Sequence, residues 1–210
     1  MESVLAQAEV SRDDLVSRLK EFEQQWRNIG PVPRQEDKAI EKRFEESKAA
    51  LRLRIDELVQ QKRSAQLEQI REILKRCLSV ETGASTIESL SSQDLAGKDM
   101  CSKNVQQRLS ALRDALTDGA GGVKFSEQIS AVEQAIIRIE ILWELESPSA
   151  EQEQRRQAQL LMLQHSLKHG RDPHLQQNLF AKIIATPCAP TESMQKRILA
   201  IFDKGCAQWL

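Results

Sequence analysis

Apolar residues recur at helical spacing over most of this chain. In residues 11–27 they fall at intervals of four, three and four, at Leu15, Leu19, Phe22 and Trp26, which places them on one face of a helix. Ser11 precedes this pattern and suits a helix N-cap. A Gly-Pro-Val-Pro sequence at 30–33 follows, and its two prolines are expected to end the helix in an extended turn.

A second, longer helix is predicted for residues 35–78. Its apolar residues mostly recur at intervals of three, four or seven, as in the seam of a coiled coil. They are Ile40, Phe44, Leu51, Ile55, Leu58, Leu67, Ile70, Leu74 and Cys77. The seam weakens over 60–66, where Ala65 is the only apolar residue, so we expect a bend, a break or solvent exposure there.

Glycine and serine are concentrated in 81–104, which we interpret as a linker with a possible short helix. Helical patterns return at 105–116, 129–145, 148–170, 174–185 and 191–209. The chain is therefore predicted to be all-α. A helical hairpin with a long coiled-coil-like arm occupies 1–80, and a C-terminal bundle of four to five antiparallel helices occupies 105–210.

Composition narrows the functional classes. The 30 basic and 31 acidic side chains leave a formal net charge of −1, which disfavours a net-basic nucleic-acid binder and an acidic tail protein. The chain lacks an apolar leader at its start and any run of about eighteen apolar residues, so we predict no membrane association. The four cysteines match no zinc spacing, and we predict free, mostly core thiols in a cytoplasmic protein.

One short stretch is distinctive. It reads Trp26-Arg27-Asn28-Ile29-Gly30-Pro31-Val32-Pro33-Arg34, with Ile40, Arg43 and Phe44 following on the next helix. The stretch resembles the repeat unit of a bacterial domain-of-unknown-function family, a helical hairpin with a Trp-x-x-Ile-Gly-Pro-Val-Pro turn. Ile40 stands where that family has Leu, and Glu41 where it has a second Trp. Residues 140–163 are similar to the tail that follows these units in proteobacterial members.

The resemblance implies helical architecture and brings no established activity. From the residues alone, the turn can bring Trp26 and Phe44 together, either as a partner-recognition surface or only as a corner that holds two helices. The candidate partner-binding residues are Trp26, Pro31, Val32, Pro33, Arg34, Arg43 and Phe44.

A basic patch on the long helix supports an alternative function. Its members are Lys62, Arg63, Arg71, Lys75 and Arg76. A phosphate backbone could lie along these side chains. Glu68 and Glu72 are interleaved at i, i+3 and i, i+4 spacing, however, so a solvated face of local ion pairs is the favoured interpretation.

Few residues are candidates for metal binding or catalysis. His165 and His169 are spaced i, i+4 and could present a pair of metal ligands, but the glutamate of His-Glu-x-x-His is missing and a solvated helix end is favoured. Cys101, in the predicted linker, is the most accessible thiol candidate. We therefore predict no catalytic residue, metal or cofactor.

These patterns favour a non-enzymatic helical protein-interaction or scaffold module. The hairpin and its long arm would bind another protein, or a second copy of this chain through the long helix. The alternative is a nucleic-acid- or ribosome-associated factor that uses the basic face of the same helix. Nucleic acid is possible as a partner but is not favoured.

Overall fold

The computed structural model describes residues 11–28, 37–86, 99–117 and 121–209, without the side chains of 37 and 121–124. Its α-helices are α1 (Arg12–Asn28), α2 (Asp37–Glu81), α3 (Met100–Thr117), α4 (Gly121–Leu142), α5 (Gln152–His169), α6 (Leu175–Ala185) and α7 (Glu192–Trp209). A 3-10 turn, Ser149–Glu151, precedes α5. No strand occurs in these ranges, and the prediction of an all-α fold is confirmed.

The chain divides into two compact units, Met1–Gln66 and Leu67–Leu210. Helix α2 runs without interruption through 60–66, where we expected a bend, a break or exposure. Of these three alternatives, the structure shows solvent exposure: every side chain in 60–66 is exposed except that of Arg63, which is half-buried. This segment contains no glycine or proline, so nothing in it interrupts the helix. Within the predicted linker, 87–98 lie outside the described residues.

The first unit has a small core between α1 and α2. Leu15 and Leu51 are buried, and partly buried apolar side chains pack around them: Leu19, Phe22, Ile55 and Leu58. The Ser11 hydroxyl accepts the backbone N–H of Asp14 at 3.2 Å, which confirms the predicted N-cap. Arg52 and Glu23 form an ion pair at 3.0 Å across the two helices.

The second unit has the main core, to which the last turns of α2 and the helices α3–α7 contribute. Its fully buried side chains include Leu74, Leu112, Ile136, Ile183 and Ile198. The segment around Ile136 is the most apolar of the chain, and burial from several sides explains why its pattern is nearly continuous. The five helices after α2 match the predicted bundle of four to five.

Gly205 allows a close approach between α6 and α7. A Cβ atom at this position would overlap the ring of Phe180, which is completely buried. Phe180 in turn contacts Trp209 edge to face, with ring centroids 5.0 Å apart. Glycine at 205 therefore lets an aromatic ring occupy the space beside the α7 backbone.

The cysteines depart from the prediction of free thiols. Cys101 and Cys206 form a disulfide, so the prediction is wrong for these two, and Cys101 is buried rather than accessible. The bond joins the first turn of α3 to the last turns of α7 across 105 residues, a pairing that sequence spacing does not reveal. Cys77 and Cys188 are free and buried, as predicted for small core residues.

Within the described residues, no helix is both long and apolar enough to cross a membrane.

Candidate interaction surface

Only part of the predicted partner-binding set can be located. Pro31, Val32, Pro33 and Arg34 lie outside the described residues. Trp26 and Phe44 are half-buried and stack on each other, with ring centroids 4.1 Å apart and planes 9° from parallel. The predicted approach of these two rings is therefore confirmed. Arg43 is exposed.

The stacked rings join α1 to the start of α2. One face of each ring is covered by the other, and the Lys48 ammonium lies 5.8 Å from the centroid of Phe44. Such pairs contribute roughly 0.5–1.5 kcal/mol beyond the burial of their surface. This contact therefore holds α1 against the start of α2.

We expect Trp26→Ala to loosen the first unit by about 1–3 kcal/mol, because it removes the stacking partner of Phe44 and a half-buried apolar surface. Hydrogen exchange measured by mass spectrometry should show faster exchange in α1, with exchange in α3–α7 unchanged. The neighbouring Gln25→Ala, at an exposed position, is the matched control and should leave α1 unaffected. If the amide protons of α1 in Trp26→Ala exchange as slowly as in the wild type, the stacked rings do not stabilise the first unit.

The predicted basic patch is largely neutralised by acidic neighbours. Arg71 donates to Asp203 at 2.8 Å, and this hydrogen bond raises the pKa of Arg71. Glu72 binds Lys75 at 3.3 Å and Arg76 at 3.8 Å, as its spacing predicts. Of the remaining two cations, Lys62 is exposed and Arg63 is half-buried. Asp203 belongs to α7, and its pairing with Arg71 was not predicted.

The seam of the long helix is mostly covered within the chain. Leu51 is buried against α1, while Ile70, Ile73 and Leu74 belong to the core of the second unit. Leu53 is the one strongly exposed large apolar residue of α2 among the described residues. The long helix therefore offers little apolar surface to a partner.

Helix α5 presents the main exposed apolar surface in the described part of the chain. Four leucines, Leu160, Leu161, Leu163 and Leu167, have 57–79% of their surface exposed. Leu160, Leu163 and Leu167 are spaced at three and four, so they share one face of α5, and we call them the outer leucine stripe. No residue of α5 is buried.

The opposite face of α5 packs on α4. Ala158, Met162 and Ser166, spaced at four, are half-buried there. A mostly apolar groove of about 580 Å³ follows this seam and is lined by Ile141, Leu142 and Met162, among others. Apolar residues thus occupy two sides of α5, and only the side toward α4 is covered.

Charged residues are absent from the middle of α5. Residues 157–167 contain no Asp, Glu, Lys or Arg, and the outer leucine stripe is flanked by Gln157, Gln159 and Gln164. An apolar centre with a polar, uncharged border is typical of protein–protein interfaces. A helix face that only meets water normally carries charged side chains.

Two clusters of buried charged side chains in the second unit are paired within the fold. Glu81 and Arg108 have fully buried side chains and are joined by two hydrogen bonds of 2.6 Å. Arg197 binds Glu140 at 2.6 Å and Glu151 at 2.7 Å, which ties α7 to α4 and to the turn before α5. Sequence reasoning missed both clusters, because their members are far apart in the chain.

The remaining thiols and histidines form no reactive cluster. Burial raises the pKa of Cys77 to about 12 and that of Cys188 to about 11, so both stay protonated near neutral pH. The rings of His165 and His169 are 4.8 Å apart at the exposed end of α5. The described residues contain no group of three or more His, Cys, Asp or Glu side chains that could hold a metal ion.

Comparison of the chain with protein-family models, curated proteins and solved structures finds no match. Membership of the Trp-x-x-Ile-Gly-Pro-Val-Pro repeat family therefore stays a prediction from the sequence.

Proposed function

We propose that this chain is a non-enzymatic helical protein-interaction module whose docking surface is the outer leucine stripe of α5. The observation that carries the proposal is the concentration of exposed leucines on one uncharged helix face. Contiguous apolar surface of this kind is unfavourable in water and marks interaction sites on folded proteins. A partner helix with an apolar face of its own would cover the stripe.

The proposed site is not the one that the sequence predicts. The sequence predicts that a partner binds the helical hairpin and its long helix, α2. The seam residues of α2 are buried or half-buried, and Trp26 and Phe44 cover each other's faces, so both surfaces offer a partner less exposed apolar area than α5 does. The buried charges of the second unit are also consistent with a scaffold role. Glu81 pairs with Arg108, and Glu140 pairs with Arg197, so these charges hold helices together within the fold.

A capture experiment tests the proposal. The intact chain and the variant Leu160→Gln/Leu163→Gln are immobilised and exposed to a lysate of the organism of origin, with and without nuclease. We expect specific proteins on the wild type that are lost on the variant and insensitive to nuclease. Leu53→Gln is the matched control, since Leu53 is an equally exposed leucine outside α5 and its replacement should change nothing.

Retention of every captured protein by the variant would remove α5 as the docking surface. Capture that depends on nucleic acid and is lost when Lys62 and Arg63 are replaced by glutamate would favour the alternative function instead. No contact in the described residues favours that alternative, because acidic partners offset Arg71, Lys75 and Arg76.

The cytoplasmic location stays a prediction from the sequence. The disulfide between Cys101 and Cys206 argues for an oxidising compartment, since such bonds are rare in reducing cytosol.

A further inference from the structure

We infer that the occupant of the outer leucine stripe is a second copy of this chain, bound through an antiparallel pair of α5 helices. This inference rests on the proposed docking role of α5 and names its partner. It depends on three features of the helix: the arrangement of its residues about a centre, the apolar surface it exposes, and the absence of Asp, Glu, Lys and Arg from residues 157–167.

The sequence at the centre of the stripe is nearly palindromic. Residues 159–164 read Gln-Leu-Leu-Met-Leu-Gln, and the reverse order differs only by an exchange of Leu and Met. A two-fold interface requires that a surface be complementary to itself. With the axis between residues 161 and 162, Leu160 faces Leu163 of the second copy, and Gln159 faces Gln164 of the second copy.

The flanking residues fit the same arrangement. Leu167 would lie beside Arg156 of the second copy, whose aliphatic stem can cover a leucine while its charged end stays in water. Within the chain, that charged end is already directed to Glu153, 3.7 Å away. The antiparallel pairing therefore places beside Leu167 an arginine whose charge already has an acidic partner.

The exposed apolar area bears on how strongly two copies would associate. The stripe is an apolar patch on the order of a few hundred Å², whereas a stable interface buries roughly 800 Å² on each partner. A partner with a polar surface would leave these leucines against polar groups. A second copy brings an equal apolar face and an equal glutamine border, so we expect a weak and reversible pair rather than a permanent dimer.

Uncharged surfaces suit self-association for a further reason. Two identical charged faces meet with like charges opposed, which is unfavourable unless the charges alternate. The eleven-residue segment 157–167 has no Asp, Glu, Lys or Arg to oppose itself. Glutamine side chains can both donate and accept hydrogen bonds, so the borders of two copies are mutually compatible.

Sedimentation velocity of the intact chain, from about 1 to 100 μM, measures the association directly. We expect a reversible dimer that dissociates toward the low end of this range. Leu160→Gln/Leu163→Gln should weaken dimerisation at least about 30-fold, the effect expected of central interface residues. Leu160→Met/Leu163→Met should preserve the dimer, and so should the control Leu53→Gln. Circular dichroism confirms that each variant is folded.

A wild type that is monomeric at every concentration would overturn the inference, and so would a dimer that survives the glutamine substitutions. Neither result would by itself remove the proposed docking function. That proposal fails separately, when the capture experiment finds no protein that depends on Leu160 and Leu163.

Discussion

Replacing Arg108 by methionine should destabilise the second unit by about 3–5 kcal/mol, the usual cost of removing one member of a buried ion pair. Arg108 lies on α3 and binds both oxygens of Glu81 at the end of α2. It also donates to the carbonyl oxygens of Ile183 and Ile184, at 3.0 and 3.1 Å, near the end of α6. One side chain therefore links three helices.

The cost arises mainly from what the substitution leaves behind. The Glu81 carboxylate would stay buried with the backbone N–H of Cys188, 3.1 Å away, as its remaining partner. An ionised carboxylate in that position lacks both water and a counter-charge. Two carbonyl oxygens would lose their donor as well.

Urea unfolding followed by circular dichroism measures this loss. Arg76→Met is the matched control, because Arg76 is an exposed arginine with an acidic partner at 3.8 Å, and its removal should change stability by less than about 0.5 kcal/mol. Adding Glu81→Met to Arg108→Met should recover part of the loss by removing the orphaned charge. Equal unfolding free energies for Arg108→Met and Arg76→Met would contradict the buried pair.

The penalty of Arg108→Met should also grow with pH. Burial raises the pKa of Glu81, while the charge of Arg108 and its hydrogen bonds oppose that rise. Without Arg108 the pKa of Glu81 rises further above its value in the unfolded chain. The protonated carboxyl is tolerated at low pH, and the variant loses stability as the pH rises through the pKa of the folded state.

Loss of the disulfide is the second large expected effect. The bond between Cys101 and Cys206 closes a loop across 105 residues. A loop of that size restricts the unfolded chain strongly, and removal of such a bond typically costs 2–5 kcal/mol. We therefore expect Cys101→Ala/Cys206→Ala to unfold about 5–15 °C below the wild type.

Reductant provides the control for this effect. Dithiothreitol should lower the unfolding temperature of the wild type and leave that of the double variant unchanged. Thiol titration of the denatured wild type should find two thiols before reduction, Cys77 and Cys188, and four after it. Four reactive thiols without reductant would show that the disulfide is absent in the purified protein and would favour the predicted cytoplasmic location.

The helices themselves could be predicted because the information for them is local. The first helix was expected at 11–27 and occupies Arg12–Asn28, and Leu15, Leu19 and Phe22 point toward the core as their spacing indicates. The stacking of Trp26 on Phe44 followed from the turn between two helices. Glu72 could be paired with Lys75 and Arg76 because all three lie within two turns.

The long-range contacts could not be predicted. Glu81 and Arg108 are 27 residues apart, and Cys101 and Cys206 are 105 residues apart, so no spacing rule joins them. The exposed stripe was missed for another reason. The apolar pattern over 148–170 predicts a helix, but apolar residues on two opposite sides of it do not indicate which side is covered. The uncharged segment 157–167 was the available signal.

Cross-linking between copies tests the central claim of an α5 pair most directly. Chains carrying Leu160→Cys and chains carrying Leu163→Cys are mixed under mild oxidation, with Leu53→Cys chains as the control. Pairing about an axis between residues 161 and 162 predicts rapid formation of the mixed 160–163 dimer and no dimer through position 53. Absence of the mixed dimer, or cross-linking no faster than that of Leu53→Cys, would contradict the account.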